Sequence, residues 1–196
     1  MTVVNELFSL EGRVALITGA SRGLGLAMAE ALAKAGATVI LNGRNADTLR
    51  VAADELRNRN LKAETLAFDV TDQHAANAAI QSIGTNHHRL DVLIANAGII
   101  HRAQIAESTP EAWDEVVATN LKACFFLAQQ AAASMRTQRH GRIIFITIPR
   151  RHIGKEYGSR LRSLEKRTRR LGSLSRCRTG GVRNYLQLHR ARLVRD

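Results

Sequence analysis

An α/β architecture with a doubly wound parallel sheet is what this sequence predicts for residues 1–148, and three observations predict it. Apolar runs of strand length alternate with segments of helix length. The runs are near-continuous in Val, Ile, Leu and Ala, as expected where helices cover both faces of a sheet. A glycine-rich turn joins the first run to the first helical segment.

The elements follow in order. Arg13–Ile17 is a first buried strand. From Gly25 to Ala35 apolar residues recur at helical spacing, with Gly36 as the stop. Thr38–Leu41 is a second strand. The next helix runs to about Asn58, with Asn45 and Asp47 both open as its cap. Ala63–Phe68 is a third strand ending at Asp69, and His74 to about Ile83 is helical. Asp91–Ala95 is a fourth strand. Thr109 with Pro110 starts a long helix expected to continue through Asn120 to about Met135. Gly141–Thr147 is a fifth strand.

After Thr147 this grammar stops. Residues 149–196 are rich in Arg, Ser, Gly and Leu, with no strand-like apolar run and charges on every face of any helix around Leu161–Leu171. They hold 15 of the 29 Lys and Arg but 3 of the 17 Asp and Glu, so the chain's net charge of +12 lies entirely there. The domain reading is therefore residues 1–148 as one folded unit and residues 149–196 as an atypical basic tail, poorly packed.

Bulk properties exclude several classes. No apolar run reaches the length of a membrane helix, and the first residues lack the pattern of a signal peptide. Cys124 and Cys177 lack disulfide-framework or metal-ligand spacing. His87-His88 has no third ligand at useful spacing and reads as a solvated loop, so no metal site is expected. A cytoplasmic setting fits all of this, with no membrane partner.

Thr18-Gly19-Ala20-Ser21-Arg22-Gly23-Leu24-Gly25 lies between the first strand and the first helix, where a pyrophosphate would meet helix-terminal N–H groups. Gly19 permits a tight turn, Gly23 lets the backbone approach phosphate, and Gly25 lets the helix pack close to the sheet. This is the dinucleotide-binding, Rossmann-type arrangement. Strand two ends Leu41-Asn42-Gly43-Arg44 rather than in an acidic residue, so Arg44, with Arg22, favours the 2′-phosphate of NADP over NAD. Asp69-Val70 after strand three suits an adenine amino group. Asn96-Ala97-Gly98 after strand four lets the chain pass close to the nicotinamide.

In order and spacing, Thr18-Gly19, Gly23, Gly25, Asp69-Val70, Asn96-Ala97-Gly98 and Asn120 resemble the short-chain dehydrogenase/reductase family, over about three quarters of the chain. Ala95, where the family often has Asn, is a minor departure. The stretches Leu7–Leu10, Val39–Arg44 and Ala97–Arg102 are similar to gluconate 5-dehydrogenases. That resemblance implies hydride transfer between NADP (or NAD) and an alcohol or ketone, with gluconate and 5-ketogluconate as candidate substrates. It also implies a homo-oligomer built on the long helix, where Trp113 belongs to the core or an interface. Arg102 is open between a partner for a substrate carboxylate and a surface arginine. Full-length members would add later strands and a substrate-covering region.

The family's chemistry uses a Tyr as general acid/base, a Lys four residues later that lowers its pKa, a Ser thirteen residues before it, and an Asn on the long helix. Asn120 matches the Asn. The other three positions carry Leu161, Glu165 and Ile148. Whether the chain as written is an enzyme therefore stays open. A non-catalytic nucleotide-binding or interaction protein with a basic tail is the alternative.

A shift of reading frame accounts for the tail. Moved by one nucleotide, the codons of Ile148-Pro149 permit Ser at 148 and those of Leu161-Arg162 permit Tyr at 161. Those of Glu165-Lys166 permit only Lys or Arg at 165. Gln187–Leu193 permits Asn-Cys-Ile-Ala-Pro-Gly, a segment the family carries beside the nicotinamide. All fall in one frame without a gap. GC-rich DNA out of frame also yields arginine codons, which explains the late charge. The competing reading, a basic tail for nucleic acid or other phosphate-bearing partners, lacks a repeated pattern of aromatic stacking residues. The expectation is thus a frameshift near Ile148, leaving cofactor binding weak and turnover little or none.

Overall fold

The structure, a computed structural model, describes residues 8–147 and 185–190. These residues build a parallel sheet of six strands in the order β3-β2-β1-β4-β5-β6. The strands are β1 (Val14–Ile17), β2 (Thr38–Gly43), β3 (Ala63–Ala67), β4 (Val92–Ala95), β5 (Arg142–Thr147) and β6 (Tyr185–Arg190). Strand β1 pairs in register with β2 (Leu16 opposite Ile40) on one side and with β4 (Leu16 opposite Leu93) on the other. The chain winds outward from β1 to β3, then returns to lay β4 to β6 on the other side.

The helices are α1 (Gly23–Lys34), α2 (Ala46–Arg57), α3 (Gln73–His87), α4 (Pro110–Val117) and α5 (Cys124–Thr137). Successive strand residues point to opposite faces, so strands β1 to β5 each feed two cores. Val14, Leu16, Ile40, Leu93 and Phe145 pack beneath Ile80 and Ile83 of α3 and Leu127, Ala131 and Met135 of α5. Ala15, Ile17, Val39, Leu41 and Ile94 pack beneath Ala29 and Ala33 of α1 and Leu49, Ala53 and Leu56 of α2. The near-continuous apolar strands are explained by this: both faces are covered, as expected for a doubly wound sheet.

Local chemistry sets the element ends. Asn45, not Asp47, caps α2, its side chain accepting from the Thr48 amide at 2.9 Å. Asp72 caps α3 and Thr109 caps α4, with Pro110 in the first turn. Gly36 at φ +104° ends the passage from α1 to β2. Helix α3 continues one turn past the expected Ile83 to His87 although Gly84, Thr85, Asn86 and His87 are weak helix formers. Tertiary contact overrides propensity there, with His87 Nε2 3.1 Å from Glu64 of β3.

Two differences from the sequence reading matter. The long helix expected from Thr109 to Met135 is interrupted by a π-helical turn, Ala118–Ala123, that contains Asn120. A tail without a continuous apolar run nonetheless supplies β6, parallel to β5 from Arg142↔Tyr185 to Thr147↔Arg190. The physical reason is that an open sheet edge offers backbone donors and acceptors whatever the side chains are, and Leu186 and Leu188 alternate with Gln187 and His189 at strand period. The remaining tail positions, including Ile148, Leu161, Glu165 and Cys177, lie outside the described residues.

Candidate functional site

The carboxyl ends of β1, β2, β3 and β4 meet where the strand order reverses around β1. Three of the loops gathered there are short and fixed by named hydrogen bonds.

The glycine turn comes first. Gly19 has φ +64° and Gly23 φ +59°, conformations open to glycine and costly for other residues. A Cβ at Gly25 would run into the Gly19 carbonyl, and one at Gly19 would lie 3.0 Å from the Ala97 Cα. A Cβ at Gly23 meets nothing within 4 Å, so that position faces open space. Arg22, extended at φ −165°, sits at the N-cap of α1 and makes no side-chain cap bond, and the first turn carries no acidic residue. Helices α2, α3 and α4 all have side-chain caps. The first amides of α1 are thus left for an anion from outside, with Ser21 half-buried and Leu24 exposed beside them.

Thr18 and Asn96 lock that turn to the end of β4. The Thr18 hydroxyl accepts from the Asn96 and Ala97 amides, each at 3.0 Å, and donates to the Ile94 carbonyl at 3.4 Å. The Asn96 side chain donates to the carbonyls of Thr18 (3.0 Å) and Gly19 (3.2 Å). Both were candidates for cofactor contact. The Thr18 hydroxyl and the Asn96 amide nitrogen are engaged by the protein itself, and these bonds shape the turn.

On the other side, β2 leads through Gly43 to Arg44, which is exposed. Asp69 follows β3, and its Oδ1 accepts from the Thr71 amide (2.8 Å) and hydroxyl (2.7 Å). The Thr71 amide bond outweighs desolvation and, helped by the Thr71 hydroxyl and the Arg44 charge, holds the Asp69 carboxyl below its ordinary range. Arg44 and Asp69 are therefore close enough to feel each other. Val70 is half-buried against the core under α3.

Asn120 sits in the π turn, and its side chain is committed at both ends to one residue: Oδ1 accepts from the Ile99 amide and Nδ2 donates to the Ile99 carbonyl, each at 2.8 Å. The Asn120 Oδ1 would lie 3.2 Å from a Cβ at Gly98, so a glycine there lets the two segments close. This pair pins the start of the loop carrying His101 and Arg102, both exposed.

Other candidates resolve simply. His87 Nε2 lies 3.1 Å from Glu64, His88 ends α3 at φ +58°, and no group of three metal-binding side chains occurs among the described residues. Burial pushes the Cys124 thiol up to about 11, which suits packing rather than nucleophilic chemistry. Trp113 is half-buried on α4, a helix with no fully buried residue. Among the described residues no helix is long and apolar enough to cross a membrane.

A sheet in this order, with an uncapped helix entered through a glycine turn at its switch point, defines the dinucleotide-binding class of α/β proteins. The open position at Gly23, the free α1 amides and the two arginines fit a phosphorylated dinucleotide in charge and shape. Within that class the chain belongs to the short chain dehydrogenase family, whose model matches residues 13–152. It is 45% identical over 141 residues to a gluconate 5-dehydrogenase of Gluconobacter oxydans, covering 72% of this chain and 55% of that protein. It is 33% identical over 153 residues to a 5-keto-D-gluconate 5-reductase of Escherichia coli, covering 78% and 60%. Among solved structures, a gluconate 5-dehydrogenase from Burkholderia cenocepacia in complex with NADP and tartrate superposes with a TM-score of 0.84 at 30% identity, over 94% of this chain and 71% of that one. A metagenomic short-chain oxidoreductase in complex with NADP gives 0.85 at 30% identity, over 94% and 84%. The chain thus spans 55–60% of the length of these curated relatives.

Proposed function

We propose that residues 1–148 are the NADP-holding part of an oxidoreductase acting on a sugar acid of the gluconate/5-ketogluconate kind, and that the chain as written does not complete the reaction. The glycine turn onto an uncapped α1 carries the cofactor half of this reading. Backbone amides of the glycine turn and the first turn of α1, other than the Ala20 amide held by the Asn42 carbonyl, would take the pyrophosphate. Arg22 and Arg44 would take the 2′-phosphate, which favours NADP over NAD. Asp69 and Val70 would border the adenine, and Ala97-Gly98 the nicotinamide. When bound, NADP supplies the hydride acceptor for an alcohol, or NADPH the donor for a ketone. Arg102, exposed on the loop that Asn120 anchors, is the candidate for a substrate carboxylate.

Asn120 is present for the family's proton path, but with its side chain spent on Ile99 its contribution is backbone and loop position. No Ser, Tyr or Lys stands at 148, 161 and 165. We attribute residues 149–196 to an out-of-frame reading beginning near Ile148. Strand β6 supports this. It occupies the slot beside β5, and its positions 187–190 are those whose shifted codons permit Asn-Cys-Ile-Ala. A cytoplasmic setting, a homo-oligomer, a small-molecule substrate and no role for nucleic acid belong to the same proposal.

The test compares the chain as written with the frame-restored chain in a gluconate oxidation assay with NADP. The restored chain turns over and the present one does not. Activity in the present chain would reject the loss of function. Authentic, uninterrupted codons around Thr147 would reject the frameshift. Binding without turnover in both would favour a non-catalytic nucleotide-binding protein.

A further inference from the structure

Asn42 is the one amide in the otherwise apolar interior of β2, and it is 1% exposed. Its Nδ2 donates to the carbonyls of Leu66 (3.2 Å) and Phe68 (3.0 Å), the last residues before Asp69. Its own carbonyl accepts from the Ala20 amide in the glycine turn at 2.8 Å, and the next carbonyl, Gly43, accepts from the Phe68 amide at 3.1 Å. The residue after Gly43 is Arg44. Three separate pieces of the adenosine side thus converge on one side chain and its peptide: the glycine turn, the segment leading to Arg44, and the corner at Asp69-Val70.

The arrangement has a cost. With Nδ2 fixed by two carbonyls, Oδ1 must face the other way, and it is buried without a hydrogen-bond partner among the described residues. A buried acceptor without a donor is unfavourable, so the two bonds that Asn42 gives to the Leu66 and Phe68 carbonyls are kept at a cost to stability. Local rules broken in this way mark positions kept for function.

We infer that Asn42 is a positioning residue for cofactor recognition, setting the Asp69-Val70 corner and the Arg44 loop relative to the glycine turn so that adenosine and its 2′-phosphate are met together. It does not itself touch the reacting atoms. This rests on the cofactor reading above and adds the residue that sets its adenosine specificity.

The test uses the full chain and two variants. Asn42→Leu keeps the volume and removes the donor, while Asn42→Asp keeps the shape and turns an acceptor toward two carbonyls. Binding of 2′,5′-ADP falls about tenfold or more in Asn42→Leu, as expected for a lost set of aligned hydrogen bonds. Binding of nicotinamide mononucleotide changes less than about twofold, while the melting temperature falls only by the few degrees expected for two carbonyls left without their donor. A general loss of both ligands together with a large fall in melting temperature would make Asn42 merely structural and overturn the inference. So would unchanged 2′,5′-ADP binding.

Backbone hydrogen exchange gives a readout independent of any ligand. In both variants the Thr71 and Asp72 amides, held by the Asp69 side chain and carbonyl, exchange faster while the β1–β2 amides do not. Unaltered exchange at Thr71 and Asp72 overturns the inference even if nothing binds. Absence of 2′,5′-ADP binding by the unsubstituted chain would instead defeat the cofactor reading.

Discussion

The two ends of the sheet are built on opposite principles. At the amino ends, Asp91 is 1% exposed and saturated. It accepts from Arg89 through Nε and Nη2 at 2.7 Å each, from Arg13 Nη1 at 2.9 Å and from the Val14 amide at 2.9 Å. Its own amide and carbonyl bond Val14 and Arg142, so one residue joins the starts of β1, β4 and β5. At the carboxyl ends, α1 has no side-chain cap, Gly23 faces open space and Asn42 keeps a buried acceptor without a partner among the described residues. One end satisfies its polar groups internally and so supports the fold. The other braces its loops internally but keeps the first amides of α1 uncapped beside an open glycine turn, the place where open α/β sheets bind their ligands.

The comparison can be broken from either side. The largest effect is expected at the closed end. Asp91→Ala removes a buried carboxylate from two guanidiniums and should cost about 3 kcal/mol in denaturant unfolding. The fraction that remains folded should still bind 2′,5′-ADP as before; a selective loss of binding would erase the division between the two ends. Burial alone would raise the Asp91 carboxyl, but the bonds from Arg89, Val14 and Arg13 outweigh it and hold it below its ordinary 3.8. A depressed carboxyl stabilises the fold above its unfolded pKa. That contribution should therefore be present at neutral pH and disappear as the pH falls below about 4, and the acid limb of the unfolding curve should flatten in Asp91→Ala.

Next is Gly25→Ala. The added methyl meets the Gly19 carbonyl, so either the turn or α1 must shift. Roughly 2 kcal/mol of stability should be lost, along with most of the affinity for NADP, measured by calorimetry. Retained affinity would mean that the turn is not the phosphate site.

Arg44→Leu should leave stability within about 0.5 kcal/mol, as for an exposed side chain. It should lower the preference for NADP over NAD by about tenfold, the loss of a charge-assisted contact. An unchanged ratio would transfer the 2′-phosphate role to Arg22 alone.

The smallest effect belongs to His140 at the closed end, 3.8 Å from Asp91. Desolvation and the charges of Arg13, Arg142 and Arg89 hold its pKa below 6.5, against the pull of Asp91. The unfolded chain then takes up a proton more readily than the folded one. Stability should decline as the pH falls through and below 6.5, and His140→Gln should remove that slope.

Much of the fold was legible because it is encoded locally. The apolar runs at Val14–Ile17, Val39–Leu41 and Val92–Ala95 need only their own composition to be read as buried strands, and Thr109-Pro110 announces a helix start by capping chemistry alone. The glycine turn was legible for the same reason, since its demands on φ fall on residues adjacent in sequence. The roles of Thr18 and Asn96 were not. Each meets partners more than seventy positions away, and spacing cannot tell a side chain that faces a ligand from one that braces the loop behind it. Asn42 left a trace, a polar residue inside an apolar strand, but its partners arrive from β3 and the glycine turn.

Sequence alone therefore determined the first five strands, the helix starts with their caps, the position of the glycine turn and the presence of Ile, Leu and Glu at 148, 161 and 165. Only tertiary structure decided that Thr18, Asn96 and Asn120 spend their side chains on the backbone, that a π turn interrupts the long helix, and that Tyr185–Arg190 fills the sixth place in the sheet. Backbone conformation is set by neighbouring residues. Which polar groups find each other is set by distant segments, and by which backbone edge still lacks a partner when they meet.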